Sequence, residues 1–257
     1  MQNPPSEPIL LIDADGLIWI PATVFESEED WGNTLTISFD FEAAKAYVDA
    51  IVTKLVTRFQ PANVIMCLSG FGNWRKDLLP SYKGNRKGKR APIGINKMRD
   101  WLKAEYTVVE KPLLEADDQI GILATKPDNL GKCIVVSEDK DMLQIPGWHL
   151  RDDKLVHVTQ EEADRFHLYQ TLVGDTADNY GGAWRIGPVK AAAILDYSDV
   201  DAFSGNDPMP SKWPAIVEAF KGDEAEALKM ARVARILRWT DWDVERQEVK
   251  LWHPTER

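Results

Sequence analysis

Three uninterrupted apolar runs most constrain what this chain can fold into: Ile9-Leu10-Leu11-Ile12, Asn63-Val64-Ile65-Met66-Cys67-Leu68 and Cys133-Ile134-Val135-Val136. A strand with one wet face alternates apolar and polar residues, whereas an unbroken run suits a strand covered on both faces of a mainly parallel sheet. Tyr106-Thr107-Val108-Val109 is a further strand candidate. Between the runs lie helical patterns. From Phe41 to Phe59 a stripe of Ala44, Tyr47, Val48, Ile51, Val52, Leu55 and Val56 recurs at helical spacing. Met98 to Ala104 and Glu115 to Ala124 read the same way. The alternation of strand and helix predicts an α/β core over residues 1–158. Beyond it, Glu161 to Val173, Gly187 to Leu195, Trp213 to Phe220 and Ala225 to Trp239 read as helices, with a last strand at Gln247 to Trp252. This predicts a helical lobe over residues 159–257.

Charge and cysteine content narrow the class. Among 257 residues, 31 Lys and Arg face 41 Asp and Glu, a formal net charge of −10. That excludes a generally basic nucleic-acid coat but not a local basic patch. The two cysteines, Cys67 and Cys133, both sit inside apolar runs. They read as inert core residues and exclude a disulfide scaffold or a cysteine-ligated zinc site. No apolar run reaches membrane-spanning length, and Met1–Glu7 lacks an export pattern, so the expected setting is the reducing cytoplasm with no membrane partner.

The acids are informative by position. Asp13 and Asp15 follow the first apolar run, and Asp139 and Asp141 follow the Cys133–Val136 run. Ligands of open α/β sheets bind beyond the carboxyl ends of strands, so these two pairs are expected to converge. Glu115, Asp117 and Asp118 open a predicted helix, where the helix dipole alone is a sufficient reason for acids. Gly174-Asp175-Thr176-Ala177-Asp178 repeats the spacing of three, although a cap or Asx turn explains it as well. Together the groups point to metal. Converging carboxylates repel unless a cation neutralises them, and hard oxygen donors select Mg²⁺ or Mn²⁺. Two such ions sharing carboxylates are an arrangement for phosphodiester cleavage.

The positive charge is concentrated in residues 75–90, where seven basic residues accompany one acid. Trp74 and Tyr82 interleave the charges, and Gly84 and Gly88 make the segment pliable, as a contact for a phosphodiester backbone requires. Gly181 to Lys190 is a glycine-rich turn between helices, where the N–H groups at the following helix start, with Lys190 nearby, can hold a phosphate, although such turns are common between helices in any case.

The ordered motifs Leu11-Ile12-Asp13, Asn73-Trp74-Arg75-Lys76, Tyr82-Lys83-Gly84-Asn85-Arg86, Glu115-Ala116-Asp117-Asp118, Asp139-Lys140-Asp141 and Gly174-Asp175 with Asp178-Asn179 resemble the flap-endonuclease superfamily of structure-specific 5′ nucleases. The likeness is strongest to the 5′→3′ exonucleases of short-tailed bacteriophages. It implies a PIN-like α/β core, a basic arch at about 73–92, and a helix–hairpin–helix-type element in the lobe. It also implies metal-dependent 5′→3′ hydrolysis of DNA in replication, primer removal or host DNA degradation. For a phage-encoded chain the location is the host cytoplasm. Carried over by motif, Asp13, Glu115, Asp117, Asp118, Asp139, Asp141, Asp175 and Asp178 are metal ligands. The first six, with Lys83, are catalytic. Arg75, Lys76, Lys83, Arg86 and Lys87 meet phosphates, and Tyr82 stacks on a base. Gly182, Gly187 and Lys190 grip duplex backbone around a potassium ion. The partners implied are duplex DNA with a 5′ end, nick or flap, and an RNA–DNA hybrid; no protein partner is implied. One departure stands out. Where the family carries an Asp after the second strand, this chain reads Leu68-Ser69-Gly70, and the role of Asp15 is open.

Two alternatives compete. Leu11-Ile12-Asp13-Ala14-Asp15-Gly16 also resembles the first motif of haloacid-dehalogenase-type phosphatases, with Asp13 as covalent nucleophile. A DNA-binding protein without catalysis is the other. The ten Trp include Trp19, Trp101, Trp148, Trp239 and Trp242, all expected in the core or lobe, and none of the four His is given a catalytic role.

Overall fold

The computed structural model describes residues 3–196 and 212–254. The apolar runs form the centre of a six-stranded sheet. In chain order the elements are β1 (Ile9–Asp13), α1 (Ala14–Val24), the hairpin β2 (Glu26–Asp30) and β3 (Leu35–Phe39), α2 (Phe41–Phe59), β4 (Asn63–Cys67), α3 (Arg75–Leu78), α4 (Ile95–Glu105), β5 (Thr107–Val109), α5 (Ala116–Ala124), β6 (Cys133–Val136), β7 (Gly147–Arg151) and β8 (Lys154–Val158). The sheet order is β5-β4-β1-β6-β7-β8. Every neighbouring pair is parallel except β7–β8, an antiparallel edge hairpin. This is the expected α/β core with a mainly parallel sheet.

Both faces are covered, which is why β1 needs no alternation. Leu10 and Ile12 are buried against α1, α2 and α4 with Val48, Val52, Met98 and Leu102, while Leu11 is buried on the other face against Ile120 and Ala124 of α5. The α2 stripe predicted from spacing is the buried face, with Asp40 capping its N-terminus by accepting from the Ala43 N–H. Exposed parts of the stripe are Tyr47 and Val56.

The lobe follows: α6 (Gln160–Val173), the short hairpin β9 (Gly174–Asp175) and β10 (Tyr180–Gly181), α7 (Pro188–Asp196), α8 (Trp213–Ala219), α9 (Glu224–Ala234), and the pair β11 (Trp242–Asp243) and β12 (Glu248–Val249). Its own core gathers Leu168, Leu172, Ala191, Trp213, Ile216, Ala231 and Trp252. The last predicted strand is reduced to β12.

Two expectations are corrected here. The helix predicted to run to Trp239 stops at Ala234. Residues 235–238 instead form an extended strap, because the core captures their backbone: Gln144 accepts from the Ile236 N–H and Asp118 from the Leu237 N–H. Trp19, expected in the core, is 49% exposed on α1. The hairpin β2–β3 carries no apolar run and went unpredicted.

Candidate active site

The carboxyl ends of β1 and β6 are adjacent because their strands pair in register, Ile12 beside Val136. Asp13 ends β1 and caps α1, accepting from the Gly16 N–H at 3.3 Å, and the Ser137 hydroxyl at the end of β6 donates to it at 3.0 Å. Asp139 opens the next turn by accepting from the Asp141 N–H. Glu115 and Asp117 enter from the start of α5, which packs under β1. The β9–β10 hairpin brings Asp175 and Asp178. Asp13, Asp15, Glu115, Asp117, Asp139, Asp141, Asp175 and Asp178 thus line one cleft of about 1020 Å³. The cations on the same walls are Lys83, Arg86, Lys140 and Arg165.

Eight acids against four bases leave the cleft short of positive charge, and the acids register it. Burial, then the repulsion of Asp13 and Glu115, pushes the Asp117 carboxyl well above its ordinary range. Burial and Asp15 raise Asp13, and burial raises Asp141 despite Lys140. Glu115 is the opposite case: burial would raise it, but Arg75 and Lys83 together bring it down to about 2. Lys83 is ion-paired with Glu115 and lies 3.4 Å from Asp178, while Arg86 holds Asp178 at 2.7 Å. Lys140 bridges Asp141 and Asp175.

Among the described residues no three acidic, imidazole or thiol groups are packed into a ready-made metal cage. The donor set nonetheless fits a hard divalent cation: it is all oxygen, it carries excess negative charge, and Asp117 accepts no hydrogen bond from the described residues.

Three predicted residues are placed differently from their expected roles. Asp118, read as a metal ligand, is 0% exposed and off the cleft wall. Arg75, read as a phosphate contact, is buried against it in a two-point pair of 2.8 Å each. The remaining Arg75 hydrogen bonds go to Glu115 and to the carbonyls of Val233 and Arg235. The Trp74 indole also donates to Asp118. Tyr82, read as a base-stacking ring, is 3% exposed; its hydroxyl lies 3.0 Å from Glu115 and 2.8 Å from Asp178. The aromatic and the first arginine of the basic segment therefore form the buried root of the arch. Lys76, Arg86 and Lys87 remain exposed, Arg86 alone of these lining the cleft. Arg90 ties the arch's far end to Glu26 and Glu28 of β2.

The missing strand-end acid has a physical counterpart. Asp15 reaches across to accept from the Ser69 N–H at 2.8 Å, and Arg99 of α4 pairs with Asp15 at 2.6 Å while donating to the Ser69 carbonyl. The Ser69 hydroxyl accepts from the Ala116 N–H at the start of α5. A side chain at Gly70 would meet the Lys111 carbonyl at 1.9 Å, so the turn has room only for glycine. Arg99 and Ser137 carried no sequence signal. Lys140 lies inside Asp139-Lys140-Asp141, a motif that assigns it no role.

In the lobe, a side chain at Gly182 would strike the Leu172 carbonyl at 2.1 Å, so this glycine serves close packing of the hairpin on α6. Gly187 and Lys190 are exposed. The buried Cys67 and Cys133 are free, their thiols pushed up by burial, Cys133 to about 12. His149 and His167 are buried and bonded to backbone carbonyls. No helix among the described residues is long and apolar enough to cross a membrane.

Residues 8–170 match the sequence model of the family described as 5′-3′ exonuclease, N-terminal resolvase-like domain. An exonuclease of Escherichia phage T7 is 29% identical over 96% of this chain and 93% of its own. A flap endonuclease, Xni, of Shewanella sp. is 31% identical over 61% of this chain and 65% of its own. The solved T5 D15 protein co-crystallized with metal ions superposes with a TM-score of 0.62 at 16% identity, covering 88% of each chain, which shows a shared fold. The bacteriophage T5 D15 flap endonuclease in a complex with DNA and metal ions gives a TM-score of 0.60 at 17% identity over 88% of each chain.

Proposed function

The chain belongs to the 5′-3′ exonuclease family, and from that premise we propose that it is a divalent-metal-dependent 5′→3′ exodeoxyribonuclease and structure-specific 5′ nuclease working on duplex DNA at an end, nick or flap. The observation that carries the reading is the convergence of acids from four separate segments on one cleft that holds half as many cations. Support for the DNA substrate and for metal comes from the relatives, among them the flap endonuclease whose structure holds DNA and metal ions. The family matched is an exonuclease family, which leaves the phosphatase alternative without support.

Asp13, Glu115 and Asp117 would hold one Mg²⁺ or Mn²⁺, and Asp139, Asp141, Asp175 and Asp178 a second. Bound there, such ions supply charge neutralisation at the scissile phosphate and a more acidic attacking water. The chain's own side chains set the stage. Ser137 and the Gly16 N–H aim the Asp13 carboxylate. Arg75 and Tyr82 orient Glu115. The Lys83 ammonium, already inside the cleft, meets the negative charge that grows on the phosphate oxygens. Arg86 meets the backbone at the cleft wall, and Lys76 and Lys87 track it outside. Residues 1–158 form the nuclease core and 159–257 the DNA-binding lobe. The Gly181–Lys190 turn has only backbone carbonyl oxygens to offer a potassium ion, and no step is assigned to that ion.

The test uses a duplex labelled at one 5′ or one 3′ end, digested with Mg²⁺, Mn²⁺ or chelator. Label released first from the 5′ end, and only with metal, is the expected result. Release that persists in chelator, or that starts from the 3′ end, refutes the assignment.

A further inference from the structure

Two buried glutamines stand in line behind Asp141. Gln170 of α6 lines the cleft and is 4% exposed; Gln144, in the turn before β7, is 1% exposed and lies off the cleft wall. The Gln170 side-chain nitrogen donates to Asp141 Oδ1 at 2.7 Å. The Gln170 side-chain oxygen accepts from the Gln144 amide nitrogen, which also donates to the Ala234 carbonyl at 2.7 Å. The Gln144 side-chain oxygen accepts from the Ile236 N–H at 3.1 Å. An unbroken line of hydrogen bonds thus runs from the strap at 235–238 to an acid of the cleft. Arg238 fastens the same glutamine by its main chain, donating twice to the Gln144 carbonyl.

The two ends of a glutamine amide have nearly the same shape, so its direction is set by what it meets. Here main-chain groups at the far end set it. The Ile236 N–H can only donate and the Ala234 carbonyl can only accept, so Gln144 turns its nitrogen toward Gln170. Gln170 must then offer oxygen to Gln144 and nitrogen to Asp141. Reversed, it would set oxygen against a carboxylate oxygen and nitrogen against nitrogen. Neither glutamine has a buried polar atom without a partner. The consequence falls on Asp141. Lys140 holds the same Oδ1 at 2.7 Å, and Oδ2 accepts no hydrogen bond among the described residues. The Lys140 side chain is 57% exposed, so its hold is shared with water, whereas that of Gln170 is not.

We propose that Gln170 is a positioning residue for the second metal ion: its direction fixed through Gln144 by the strap, it tethers Oδ1 of Asp141 and leaves Oδ2 as the ligand oxygen. The proposal deepens the nuclease reading above and rests on it. Groups that orient a ligand from behind are worth about 10–100-fold in metal affinity.

The test follows Mn²⁺ binding to the whole protein without DNA, by the electron paramagnetic resonance of the free ion. Methionine matches glutamine in length but cannot donate, so Q170M removes the tether. Q144M leaves Gln170 in place and removes only what fixes its direction. In Q170M one Mn²⁺ is expected to bind as in the wild type and the other about tenfold more weakly or worse; in Q144M the same site weakens by a smaller factor. Asp141→Ala separates positioning from general loosening: with Asp141 gone, adding Q170M is expected to change Mn²⁺ affinity no further. Wild-type affinity at both sites in Q170M, or a loss that Q170M still causes beside Asp141→Ala, overturns the positioning role and leaves the nuclease reading standing. Should Q170M fail to fold, Q144M decides by the same comparison, unchanged affinity overturning the role. A wild type that binds no Mn²⁺ overturns the role and the metal-dependent reading together.

Discussion

Replacing Arg75 with Met takes a guanidinium from a site where all of its N–H groups are used. Two hydrogen bonds of 2.8 Å go to Asp118, one of 3.1 Å to Glu115, one of 3.0 Å to the Val233 carbonyl and one of 2.5 Å to the Arg235 carbonyl. Methionine fills much of the space but leaves the Asp118 carboxylate, 0% exposed, with only the Trp74 indole and backbone N–H groups for company. Breaking one side of a buried pair costs about 3–5 kcal/mol, because a charge is left in low dielectric. In a chain of this size each kcal/mol is about 2–4 °C of melting temperature, so the drop is on the order of 10 °C. Urea denaturation and a thermal melt measure it. The companion variant R75M/D118L removes both charges and is expected to recover most of the loss, since an apolar pair of similar volume is tolerated where a lone charge is not. A cost below about 1 kcal/mol for R75M, or a double variant less stable than the single one, refutes the reasoning. A phosphate-contact role for Arg75 makes the opposite forecast: weaker DNA binding at an unchanged melting temperature.

Three further outcomes follow from the same geometry. Glu115 sits at about 2 in the fold against an ordinary 4.5. Its share of stability is therefore complete above about 4.5 and is lost as pH falls toward 2, roughly 3 kcal/mol in all. In Glu115→Gln, urea denaturation across that window should show a flatter acid limb, and an unchanged limb would discredit the pairing with Arg75 and Lys83. Asp117→Asn removes a carboxylate that burial and its neighbours penalise. The metal-free protein should melt higher while DNA cleavage and the Mn²⁺-induced melting shift are lost; a lower melting point speaks against the crowding of charge. Gly70→Ala forces a side chain against the Lys111 carbonyl and should cost about 3 kcal/mol by denaturation. Gly187→Ala has open space and should be near neutral, so equal effects at the two sites would count against the turn described here.

The centre of the fold and most of the cleft were legible in the sequence for a local reason. A strand buried on both faces must be apolar throughout, so Leu10, Leu11 and Ile12 announce the middle of a sheet without reference to anything distant. The acids after β1 and β6 follow, since parallel strands must end on the same side. What a side chain does once there depends on partners far along the chain. Asp117 and Asp118 are neighbours with the same chemistry, yet one faces the cleft and the other lies beneath Arg75, because one helical step of about 100° separates them. Nothing local distinguishes Tyr82 as the root of an arch from Tyr82 as an exposed ring. The extended strap at 235–238 reads as helix because its side chains have helical spacing. It is pulled straight by Gln144 and Asp118, which lie 92 and 119 residues away. Periodicity and composition thus determined the layers, the position of the acids and the excess charge they carry. Burial and long-range pairing, which no local pattern encodes, decided which charges stay in the cleft and which are locked under the arch.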